Sequence, residues 1–170
     1  MPNKVTLPSL FVFLAGLTAC GTPTSSTTLS VNLTTTPNPA SAVPSQGVTY
    51  TVTNPDNTVS TYDYSFKTSF TVNMQETGGN ALTITSVNLV VQQASGGIVI
   101  TPSGGDREYF RFNSAAGGNT LAAHGNAAMS FDVWYSLPSK GQEALITVTL
   151  TFSDANNNTY TQTVQEKVAP

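Results

Sequence analysis

Charge is what this chain has least of: 9% of its 170 residues are Asp, Glu, Lys or Arg, with 9 acidic against 6 basic and a net charge of −3. Soluble domains ordinarily carry roughly 25% charged residues. Six scattered cations cannot build the basic face that nucleic acid requires, which excludes nucleic acid as a partner. Cysteine occurs once, at Cys20, so no disulfide forms within the chain and any folded domain is held by its core alone. Long hydrophobic runs are also missing. The main one, Leu10 to Leu17, is far shorter than the roughly 20 apolar residues of a membrane-spanning helix. Histidine and tryptophan occur once each, at His124 and Trp134. Gly-x-Ser-x-Gly, His-Glu-x-x-His, Gly-x-x-x-x-Gly-Lys and Ser-x-x-Lys are all missing, which removes the commonest signatures of hydrolases, metalloproteases and nucleotide binders.

What replaces charge is Ser, Thr and Asn, arranged with a period of two. No window repeats apolar residues every 3.6 positions, so helices are not expected. Gly47 to Thr53 alternates and runs into the turn Asn54-Pro55-Asp56-Asn57. Thr61 to Met74 keeps one parity, with a bend expected at Lys67 to Ser69. Glu76-Thr77-Gly78-Gly79-Asn80 supplies the positive-φ positions of a hairpin loop. The parity of Leu82 and Ile84 differs from that of Val87, Leu89 and Val91, which places a β-bulge near Ser86. Ile98 to Ile100, Arg107 to Phe112, Met129 to Leu137, Glu143 to Ser153 and Thr159 to Val168 complete about eight or nine strands. Short strands with regular turns and one core predict an all-β protein, an antiparallel β-sandwich over residues 47–170.

The amino terminus carries a different message. Residues 1–19 hold one cation, Lys4, then the apolar run, then Thr18 and Ala19 before Cys20, the layout of a cleavable export signal. Leu17-Thr18-Ala19-Cys20 resembles the lipobox of bacterial lipoproteins. That resemblance implies that the leader is removed, that Cys20 becomes the first residue and is acylated, and that the membrane is a partner through the lipid. The covalent lipid on Cys20 is the one non-protein group expected; no cofactor is. Gly21 rather than Asp after the Cys implies, by the family's sorting rule, the outer membrane rather than the inner one. Residues 20–46, with 12 Ser or Thr and 4 Pro from Gly21 onward, read as a tether, with an edge strand over 29–33 ended by Pro37 and Pro39.

Parity also assigns the core. Phe131, Val133, Tyr135 and Leu137 should face inward on one strand and Ile146, Val148, Leu150 and Phe152 on the next. Phe66, Phe70, Val72, Ile84, Leu89, Phe110 and Phe112 should oppose them. The hairpins around Glu76-Thr77-Gly78-Gly79 and Asp154-Ala155-Asn156-Asn157-Asn158 resemble those of immunoglobulin-like modules in bacterial envelope proteins, over roughly residues 47–168. The cysteine pair of the antibody type is lacking.

Three groups of residues are candidates for function. Inward Phe131 and Val133 turn Asp132 and Trp134 outward, where a flat aromatic beside a carboxylate suits a pyranose ring. Inward Phe110 and Phe112 turn Arg107, Tyr109 and Arg111 outward as a basic-aromatic row for an anion, an acidic glycan or a protein. The bland alternatives are that Trp134 is covered by a neighbour and that the arginines pair with carboxylates. Asp154, Asn156 and Asn158 place oxygens at positions one, three and five of a calcium-type loop, yet Thr159 and Gln165 stand where Gly and Glu belong. An Asn-rich turn explains the same residues by conformation alone. His124 sits in a small-residue loop without an acidic neighbour in sequence, so no catalytic residue is assigned. The leading expectation is therefore a non-enzymatic, lipid-anchored envelope protein that acts on a protein or glycan partner. The alternatives are a carbohydrate-binding module using Trp134, and an enzyme inhibitor or calcium-binding surface domain.

Overall fold

A computed structural model describes residues 30–94, 108–114, 118–137 and 142–170, without the side chains of residues 52, 108–110 and 114. Twelve strands lie within these residues: β1 (Val31–Thr36), β2 (Ala40–Ser41), β3 (Val43–Pro44), β4 (Thr49–Thr53), β5 (Val59–Asp63), β6 (Phe66–Glu76), β7 (Leu82–Gln93), β8 (Glu108–Ser114), β9 (Thr120–Leu121), β10 (Asn126–Tyr135), β11 (Ala144–Ser153) and β12 (Thr159–Ala169). Against the expected eight or nine, β2, β3 and β9 are two-residue pieces that alternation cannot register.

Two sheets form. Sheet A runs β1-β6-β10-β8, with β3 also on β6; sheet B runs β2-β12-β11-β7-β9. Lettered along the chain, sheet A is A-B-E-D and sheet B is G-F-C with a short A′ strand, β2, parallel to β12. That is the strand arrangement of an immunoglobulin-like sandwich. A separate hairpin, β4–β5, is inserted between the first and second strands of this plan.

The core follows the predicted parity. Phe131, Val133, Tyr135, Ile146, Val148, Leu150, Phe152, Phe70, Val72, Ile84 and Leu89 are buried, and Phe66 and Leu137 pack at its margin. Phe70 and Phe131, opposite each other on β6 and β10, stack at 5.4 Å. The bulge sits where parity changes: Thr151 pairs Ser86 but Phe152 pairs Ile84, leaving Thr85 as the extra residue.

Three expectations are corrected. Phe112 keeps the side of the sheet shared with Phe131, 6.0 Å away, but is 45% exposed because β8 is the edge strand of sheet A. Lys67 to Ser69 lie inside β6 without a bend, and the strand break falls at Tyr64 and Ser65 instead. The domain boundary expected at Gly47 falls before Val31. β1 pairs with β6 along its whole length, and Val31 and Ala40 are core residues. Low hydrophobicity misled here, because an edge strand and a two-residue strand need only a few inward side chains. Ile98 to Ile100 lie outside the described residues.

Two carboxylates are enclosed by the fold. Glu166 on β12 is fully buried and accepts the Ala40 N–H at 2.6 Å, joining the first stretch of chain to the last strand. Glu76, at the end of β6, is 2% exposed.

Candidate functional site

The outward row of β10 was the sequence's best candidate, and its neighbours define it. Trp134 points away from the core, as alternation requires, with Lys67 of β6 and Tyr109 of β8 opposite it in register. It is not a free platform. The Lys67 ammonium lies 4.9 Å from the ring centroid and the Arg111 guanidinium 5.6 Å, and the indole is only 8% exposed. Cation–π contacts of this kind contribute about 0.5–2 kcal/mol each. Of the two alternatives for Trp134, the covered one is found: long side chains from both flanking strands fold over the ring, so it offers no stacking surface for a sugar.

Asp132 completes the cluster. Its carboxylate lies 3.1 Å from Lys67 Nζ and accepts a hydrogen bond from the Ser69 hydroxyl. The Ser69 hydrogen bond outweighs partial burial and, with the Lys67 and Arg111 charges, holds its carboxyl below the usual range. Arg111 is exposed on the edge strand and reaches both Trp134 and the field of Asp132. Asp132, Trp134 and Arg111 are thus one assembly. The side chain of Tyr109 and the whole of Arg107 lie outside the described residues.

The calcium-type loop resolves into turn chemistry. Asp154 Oδ1 accepts the backbone N–H of Asn156 and of Asn158, both at 2.9 Å. Its Oδ2 accepts Asn158 Nδ2 at 2.8 Å and the Tyr160 hydroxyl at 2.9 Å. Asn157 takes the left-handed conformation, φ 61°. The carboxylate that would lead a cation site is occupied by four donors, and these bonds, the Asn158 side chain first, lower its pKa. Among the described residues no cluster of three His, Cys, Asp or Glu side chains is placed to hold a metal.

Sequence reasoning missed a carboxylate brought to His124. Glu76 Oε2 accepts the His124 backbone N–H at 2.9 Å and the Gly79 N–H at 2.8 Å, while Oε1 accepts the Gly78 N–H at 2.7 Å. Burial alone would raise this carboxyl; the N–H donors of His124, Gly78, Gly79 and Asn80 outweigh it and hold it below its ordinary value. What meets Glu76 is the His124 main chain, so the pair joins two loops. Nothing in the local sequence signals it, since 48 residues separate the partners.

The rest of the outer face of sheet A is polar and uncharged. Strand register sets Asn32, Gln75 and Asn126 in one transverse row, Thr34, Asn73 and Ala128 in the next, and Thr36, Thr71, Ser130 and Asn113 in a third. Two open depressions lie along it, of about 520 Å³ over the first two rows and about 240 Å³ from the third row toward Asp132 and Arg111.

Comparison with known proteins adds little. No family model matches the chain, and no curated protein matches it. Among solved structures, the chain is similar to the secreted serine protease VesC from Vibrio cholerae at 10% identity and a TM-score of 0.39, covering 61% of this chain and 19% of that one. It spans about a fifth of that protease. It is also similar to the ASH / PapD-like domain of human CEP192, PapD-like domain 7, at 12% identity and a TM-score of 0.40, covering 98% and 96%. Likenesses this distant carry no functional argument, and the immunoglobulin-like class rests on the strand order itself.

Proposed function

We infer that this chain is a lipid-anchored protein of the cell envelope whose immunoglobulin-like sandwich works by contact rather than by catalysis. One observation carries the contact role: the outer face of sheet A is a register-aligned strip of polar side chains with two depressions along it. The carboxylates nearest to chemically useful groups are engaged in structure, Glu76 by backbone donors and Asp132 by Lys67 and Ser69. The anchor is supported by the lipobox at Leu17 to Cys20, which lies outside the described residues. Two or more acyl chains on one residue hold a protein to a bilayer, because each buried methylene contributes about 0.8 kcal/mol. Gly21 supports the outer membrane as the destination.

Two measurements test this reading. Mass spectrometry of protein from its native host should find a mature chain that begins at an acylated Cys20; an intact, unmodified Met1 overturns the anchor. Photo-crosslinkers placed at Thr34 and Thr71, on the outside of sheet A, should capture a specific envelope component, whereas one at Thr163, on the outside of sheet B, should not. Equal capture from both faces, or none from either, overturns the contact role.

A further inference from the structure

The transverse amide row has a chemistry of its own. Asn32 lies opposite Gln75 and Gln75 opposite Asn126, so three amides stand side by side on adjacent strands, and all three are exposed. Among the described residues no side-chain hydrogen bond ties any of them down; in the next row Asn73 donates to Thr36 Oγ1 at 3.1 Å. In the adjacent row the short Ala128 side chain stands between longer neighbours, and the larger depression lies over these two rows. Its volume of about 520 Å³ falls within the roughly 300–1,000 Å³ of small-molecule sites.

The lining selects its ligand by exclusion. None of the residues around the larger depression is ionisable, so a charged ligand would lose hydration and gain no counter-charge. Most of the exposed lining is carbon, with Met74, Ala127 and Ala128 among it, but a wholly apolar ligand would cover it only by stripping water from the three amides and giving them no partner. An amide presents a donor and an acceptor side by side, which neighbouring hydroxyls on a sugar ring satisfy together, and the Ala128 methyl offers a small apolar floor to the ring's C–H face. From Asn126 to Asp132 the strip runs ~20 Å along β10, and the smaller depression continues it past Thr71, Ser130 and Asn113. That length suits a chain of sugars better than a single one.

We propose that the outer face of sheet A binds a neutral oligosaccharide chain, held first by Asn32, Gln75 and Asn126 beside Ala128. The proposal rests on the reading of that face as the contact surface and deepens it.

The test is calorimetric titration of the full-length protein in detergent with tetrasaccharides of neutral glucan, mannan and galactan, and with a uronic acid tetrasaccharide. At least one neutral tetrasaccharide should bind, and the uronate at least about tenfold more weakly. Gln75→Ala with Asn126→Ala should weaken binding about tenfold or more at an unchanged melting temperature. Ala128→Leu, which fills the depression, should abolish it; a second filling variant, Ala128→Val, guards against a folding defect in the first. No binding of any neutral tetrasaccharide, preference for the uronate, or equal binding by wild type and the double variant overturns the proposal. If sugars fail while crosslinks from Thr34 and Thr71 to an envelope protein persist, this proposal falls and the contact role stands.

Discussion

Replacing Glu76 by Ala tests the idea that one carboxylate fastens two loops at the same end of the sandwich. The substitution leaves three backbone N–H groups, of Gly78, Gly79 and His124, without their acceptor. A hydrogen bond to an ionised partner contributes about 1.5–3 kcal/mol where water is excluded. These bonds are only partly buried, so water takes over some of the loss, and about 3 kcal/mol in total is expected. For a domain of this size that corresponds to a fall of about 10 °C in melting temperature. Glu76→Gln keeps one oxygen acceptor but turns an NH2 group toward the remaining donors, and about half the loss should follow. Acid adds a second signature. The folded-state pKa of Glu76 lies below its ordinary value of 4.5, so its stabilisation is complete above that pH and is lost as pH falls through the folded value. Asp56, Asp132 and Asp154 are lowered as well and weaken both proteins in acid, so the wild-type-minus-variant difference isolates Glu76. Thermal melts followed by circular dichroism from neutral pH to about pH 3 measure it. A difference under about 2 °C at neutral pH, or one that persists undiminished in acid, would refute the reasoning.

Two further substitutions probe the fold. Phe152→Ala removes a fully buried ring from the strand at the centre of sheet B and should cost about 3–5 kcal/mol in urea unfolding, with the slope unchanged. A loss under about 1 kcal/mol would mean that the core is not packed around this ring. Gly79→Ala places a methyl 3.1 Å from His124 Nε2 at a residue whose φ is +82°. It should lower stability by about 1–2 kcal/mol through strain, whereas Gly47→Ala, at φ +73° with open space around it, should show only the smaller cost of the backbone angle.

Alternation alone located the long strands of both sheets, because each has one face in a single core and hydrophobic parity is then forced. It also found the bulge at Thr85 to within a residue. It caught β1 through the alternation at 29–33, which the strand overlaps and extends to Thr36, but missed β2 and β3, two residues each, of which only Ala40 is buried. At the candidate site, parity gave the direction of Trp134 but left its exposure open between a free and a covered ring. Direction is a property of one strand, whereas exposure depends on Lys67 and Arg111, which the register supplies from two others. The amide row was illegible for the same reason. Asn32, Gln75 and Asn126 are ordinary polar residues in sequence and become a group only through the pairing of three strands.

Because the chain joins the edge of sheet A at Val31, little length is left between the sandwich and the proposed acylated cysteine. Nine residues lie between Cys20 and Ser30, so the two are no more than ~35 Å apart at full stretch. With Cys20 acylated as proposed, a leash that short would confine the module to within a few nanometres of the lipid. Under that proposal a partner of the polar strip would have to come within this reach, and lengthening the spacer by some twenty glycine and serine residues would widen it without altering a single contact.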